Sequence, residues 1–114
     1  MIAISENIYR RLADEKYDFA ETEFSVHYLG RSESYFAFLK SSGKQISSES
    51  LLNLWGKLTR EQEMYSAAIN KTEHAFRKQM LMDWNQFYKD LAEIVFAELC
   101  ERAGSGAVRT ELVH

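Results

Sequence analysis

No proline occurs anywhere in the 114 residues. Proline removes a backbone donor and clashes with the preceding turn, so a chain without it can run helices without an enforced break. Breaks must then come from glycine and from capping residues. Residues 59–103 contain neither glycine nor proline, which predicts either one helix of about forty residues or two with a break near residues 70–72. The expected class is all-α.

The first sixty residues read as short helices. Ile4, Ile8 and Leu12, with Tyr9 between them, recur at helical spacing up to about Glu15, and Ser5 or the residues before it can cap that helix. Asp18 followed by Glu21 has capping-box spacing and opens a second helix to Tyr28, with Phe24 and Tyr28 on one side. Gly30 sits where a chain reversal wants a positive φ. Ser32 then caps a third helix over residues 33–41, burying Phe36 and Leu39 with Tyr35 beside them. After SSGKQISS, Ser47 or Ser48 caps a fourth helix bearing Leu51, Leu54, Trp55 and Leu58. Thr59 and Gln62 form another capping-box pair, which places a boundary there. The expected organisation is a four-helix core over residues 1–58, a long helical extension over 59–104 that packs on the core, and a flexible tail over 105–114.

The extension carries more apolar surface than a one-sided helix needs. From Phe76 to Leu99 its apolar side chains span an arc of roughly 160° on a helical wheel. Part of that arc packs in the chain's own groove or meets another chain, and Met80, Trp84, Phe87, Leu91 and Ile94 are the candidates for a homodimer or partner interface.

Composition narrows the function classes. The net charge of −3 gives no general electrostatic advantage on nucleic acid. The distribution is uneven, however: residues 30–45 hold Arg31, Lys40 and Lys44 against Glu33 alone. The start lacks a basic segment followed by an apolar one, and no apolar run approaches the ~18 residues a membrane span needs. A cytoplasmic protein without a membrane partner is expected. Cys100 is the one cysteine, so it has no partner within the chain, and its apolar neighbours suggest a half-buried small hydrophobe. His27, His74 and His114 have no second ligand at metal-binding spacing, and the five glycines are scattered rather than gathered into a phosphate loop. The sequence reads as a protein without catalytic machinery or cofactor.

One segment has a family likeness. Phe24 and Ser25, Leu29 and Gly30, Ser32, Ser34, Tyr35, Phe36, Leu39, Gly43, Lys44, Leu51, Leu52 and Leu58 follow one another as an apolar-small pair, a Leu-Gly turn, a Ser-x-Ser-Tyr helix start, a Gly-Lys loop and paired leucines. In this order, residues 20–58 resemble the helix-turn-helix domain of the phage-repressor and Cro-like family. The resemblance implies a helix-turn-helix core in which Ser32, Glu33, Ser34 and Phe38 face bases in the major groove. It also implies that Arg31, Tyr35, Lys40, Lys44 and Gln45 lie near phosphates. A small transcriptional regulator bound to double-stranded DNA as a homodimer would follow.

The departures keep a second reading open. Ala20 and Glu21 stand where the family starts its second helix with Thr-Gln, and a carboxylate beside a phosphate is unfavourable. Glu33 can accept from a cytosine amino group and Phe38 can pack on a thymine methyl, yet both suit a protein surface. The alternative is a protein-interaction module, an adaptor or antagonist, that keeps the scaffold and uses the aromatic helix on a partner.

Overall fold

The computed structural model describes residues 2–104, all of whose regular structure is helical. The tail expected over 105–114 lies outside the described residues. Five helices follow in order: α1 (Ile4–Glu15), α2 (Glu21–Glu23, continued by a π-helical turn, Phe24–Tyr28), α3 (Tyr35–Ser42), α4 (Ser48–Asn70) and α5 (Ala75–Gly104). The chain divides into two compact units, Met1–Leu54 and Trp55–His114.

In the first unit α1 buries Ile8 and Leu12 fully, and Ser5 lies on the same buried face. Ser5 therefore does not cap the helix; Ala3 stands at that position without a side-chain bond. Asp18 does not cap α2 either. It sits in the turn after α1 at φ +55°, and Ala20 precedes the helix, again without a side-chain bond. The left-handed residue lets the next one, Phe19, enter the core, where the Tyr9 hydroxyl donates to its carbonyl at 2.9 Å. Tyr9, Phe19, Phe24, Tyr28 and Phe36 form one aromatic cluster with ring centroids 5.0–6.3 Å apart. Such pairs are each worth about 0.5–1.5 kcal/mol beyond the area they bury.

The second unit is an antiparallel helical hairpin. Trp55 meets Phe96, Gln62 donates to Asn85 at 3.3 Å, and Tyr65 stacks on Trp84, so partners run in opposite directions along α4 and α5. Its two helices are divided near residues 70–72, as the second of the two sequence alternatives has it. The Thr72 hydroxyl donates to the Ala68 carbonyl at 2.8 Å at the end of α4, and the His74 ring nitrogen Nδ1 accepts the Arg77 amide at 3.3 Å at the start of α5.

The boundary expected at Thr59 is absent, because α4 runs through it for 23 residues. Leu51, Leu54 and Leu58 form one buried stripe that runs up to that point, and an interior capping-box pattern cannot open a helix whose preceding turn is already formed. Cys100 is exposed rather than half-buried.

Candidate nucleic-acid interface

The segment 24–50 is held by a small set of bonds between α2, α3 and the start of α4. The π-helical turn closes with the Leu29 amide on the Phe24 carbonyl at 3.0 Å. The Arg31 amide then reaches the Ser25 carbonyl at 3.0 Å, six residues back, in the manner of a Schellman end. Gly30 stands at the reversal with φ +65°. A Cβ at Gly30 would lie 2.7 Å from Asn53 Nδ2, which itself donates to the Leu29 carbonyl at 3.1 Å.

Ser25 has a second task. Its buried hydroxyl accepts the Phe36 amide at 2.8 Å, so α2 supplies the cap that the residue before α3 would ordinarily provide. This displaces the sequence expectation by two residues. Helix α3 starts at Tyr35, Ser34 occupies the cap position without a side-chain bond, and Ser32 contributes the carbonyl that receives the Tyr35 amide at 3.1 Å.

Phe36 and Leu39 point inward. Ser32, Glu33 and Ser34 lie in the exposed turn before α3, with the Ser32 and Ser34 hydroxyls 3.4 Å apart, and Phe38 is 48% exposed. The four expected base-facing residues therefore share one solvent-facing region, although three of them precede the helix.

The expected phosphate-contacting residues fall into two groups. Arg31 is committed within the chain: its guanidinium donates to Ser50 at 2.7 Å and Ser47 at 3.1 Å, pairs with Glu49 at 3.3 Å and lies over the Tyr35 ring. The Tyr35 hydroxyl accepts the Ser47 amide at 3.3 Å. Burial pushes the Tyr35 phenol up, but the Ser50 and Ser47 hydroxyls, the Ser47 amide and the Arg31 charge outweigh it and hold the phenol below its ordinary value. Arg31 and Tyr35 thus tie the turn to the start of α4. Lys40, Lys44 and Gln45 are exposed. Lys40 pairs with Glu21, and Lys44 lies over the Phe38 ring. Glu21 is the residue that departs from the family pattern, and it holds a cation of the same face.

The interface candidates on α5 are spread over a gradient of burial. Leu91 is 1% exposed and has no surface to offer a second chain. Trp84, Phe87 and Ile94 are half-buried, with Trp84 and Phe87 in a ring cluster with Tyr65 and Tyr88. Met80 is exposed, as are Phe76, Met82 and Phe96.

With this geometry in place, comparison with known families gives a clear assignment. The model of a family of unknown function, DUF6626, matches residues 5–103. The chain belongs to DUF6626. No curated protein and no solved structure matches it. The family match spans both units, so the hairpin is as much part of a DUF6626 chain as the first unit is. No helix among the described residues is long and apolar enough to cross a membrane.

Two features of this DUF6626 member were not legible beforehand. Ser47 reads as a cap and Ser50 carries no signal of its own, because the Arg31 that their hydroxyls receive lies sixteen or more residues away. A cleft of about 480 Å3 lined by Tyr65, His74, Phe76, Arg77, Met80, Leu81 and Trp84 also forms, although Met80 and Trp84 at helical spacing read as core. The break near residue 70 was its one available signal, since a hairpin there brings Tyr65 to Trp84.

Proposed function

We propose that the first unit is a helix-turn-helix-like module that binds double-stranded DNA through the turn and first residues of α3, in a small transcriptional regulator that acts as a homodimer. The observation that carries this reading is the outward set Ser32, Glu33, Ser34 and Phe38, held out by the inward packing of Phe36 and Leu39 and by the Ser25 bond to the Phe36 amide. Ser32 and Ser34 supply hydroxyls, Glu33 an acceptor for a cytosine amino group and Phe38 an apolar contact for a thymine methyl. Lys40, Lys44 and Gln45 flank them as phosphate contacts.

The Lys40–Glu21 pair does not remove Lys40 from service. Both side chains are partly exposed, and such surface pairs are worth about 0–1 kcal/mol, so a phosphate can replace the carboxylate. Arg31 acts differently, bracing the turn from within. The unit as a whole carries six Lys and Arg against eight Asp and Glu, so binding depends on this local face rather than on general attraction. Pooled genomic fragments at low salt should be retained by the intact chain and released by Lys40→Glu with Lys44→Glu. Absence of retention at low salt would overturn the reading.

The second reading, a protein-interaction module, is favoured by the exposed apolar side chains of the hairpin. Phe76 is 71% exposed, and Met64, Met80, Met82 and Phe96 are exposed with it. Large exposed apolar patches mark interaction sites. On this reading Phe76→Ser with Met82→Ser abolishes capture of a partner while the melting temperature holds, and retention on DNA is absent.

A further inference from the structure

The hairpin contains a cleft of about 480 Å3 near its turn, within the range of small-molecule sites. Its walls are aromatic and aliphatic: Tyr65 from α4, and Phe76, Met80, Leu81 and Trp84 from α5. Tyr65 and Trp84 stack nearly parallel, with centroids 6.0 Å apart and planes 14° from each other. The polar side chains of its lining besides the Tyr65 phenol are His74 and Arg77, and no carboxylate lines it. Arg10, Arg31 and Arg102 each pair with a carboxylate and Arg11 bonds Asn7, whereas no ion pair of Arg77 is formed among the described residues. His74 is fixed by its role at the start of α5, where Nδ1 accepts the Arg77 amide and leaves Nε2 for a ligand.

We propose that this cleft binds an amphipathic organic anion, an aromatic or acyl carboxylic acid whose apolar body lies against Trp84, Met80 and Leu81 and whose carboxylate meets Arg77 and His74. Arg77 offers the planar fork that matches a carboxylate, and the aromatic walls exclude water from one side of that pair. Met80 at the rim can adjust to the ligand body, as a flexible and unbranched side chain does at adaptable sites. The site stands apart from the DNA reading, since every residue in it belongs to the hairpin.

The test is titration of the full chain with naphthoate and with its neutral isostere naphthamide, followed by calorimetry and by the Met80 methyl signal. Saturable binding of one naphthoate per chain is expected. Naphthamide and the Arg77→Gln variant should each weaken binding roughly tenfold or more, the loss of a charge-assisted bond. Leu81→Trp, which fills the cleft, should abolish it, and an unchanged melting temperature in Arg77→Gln separates loss of contact from loss of fold. Three results would overturn the proposal: no saturable binding, equal affinity for acid and amide, or a second copy or protein partner that covers Met80 and excludes naphthoate.

Discussion

Gly30 meets two constraints that no side chain satisfies. Its φ of +65° is left-handed, and a Cβ there would lie 2.7 Å from the Asn53 amide that holds the Leu29 carbonyl. Gly43 has a similar φ, +71°, but open space around it. Gly30→Ala should therefore cost roughly 2–4 kcal/mol and Gly43→Ala about 1 kcal/mol in urea unfolding. Equal losses would mean that Asn53 moves aside freely. Tyr35 and Tyr9 make a second residue-scale contrast. The Tyr35 phenol is held down in the folded chain, whereas burial and then Glu21 push Tyr9 up, with Lys40 opposing. A depressed acid adds stability above its unfolded value near 10.0 and loses it as pH falls through the lower folded value; a raised one adds stability below 10.0 and loses it as pH climbs through the higher folded value. In an alkaline phenolate absorbance titration, Tyr35→Phe should delete a tyrosine transition below 10.0 and Tyr9→Phe one above it. Loss of the same transition in both variants would contradict the assignment.

At the scale of elements, most caps moved, and the expected fourth helix runs on into the expected extension as α4. Residue spacing at Ile4, Ile8 and Leu12 placed α1, and Leu51, Leu54 and Leu58 placed the start of α4, because a buried stripe repeats at 3.6 residues whatever it packs on. Cap assignments at Ser5, Asp18, Ser32 and Thr59 did not hold: Ser5 lies on the buried face of α1, Asp18 sits in a left-handed turn, Ser32 lies before the start of α3, and Thr59 is interior to α4. Ser47 is the cap that did hold, accepting the Ser50 amide at 3.1 Å. At the start of α3, Ser25 takes the Phe36 amide from a different helix. Ser25→Ala should cost about 1–3 kcal/mol, the penalty for a buried unpaired donor, and Ser32→Ala should stay within about 0.5 kcal/mol. Thermal unfolding of the two variants decides this, and a larger loss for Ser32→Ala would restore the local cap.

For the whole molecule, charge sets the limits of the proposed function. With Arg31 engaged by Ser47, Ser50 and Glu49, Lys40 and Lys44 are the lysines of the α3 face. Two phosphate contacts per chain give a slope of log affinity on log salt of about −2, and two chains on one site about −4. Measuring that slope on duplex DNA therefore reports the total number of phosphate contacts in the complex. A slope near zero would remove the phosphate-based mechanism altogether.

What the amino-acid sequence determined by itself is the all-helical class, the reversal at Gly30 and the inward set Phe36 and Leu39, whereas over residues 59–104 it left one helix or two open. Each follows from local rules of periodicity, proline absence and glycine φ. The tertiary structure alone decided where α3 begins, that Arg31 is a brace rather than a free cation, that Glu21 reaches Lys40, and that Tyr65 and Trp84 enclose a cleft. Those depend on partners eleven to nineteen residues apart, and a residue's spacing along the chain carries no record of which distant hydroxyl, carboxylate or ring will meet it once the helices pack.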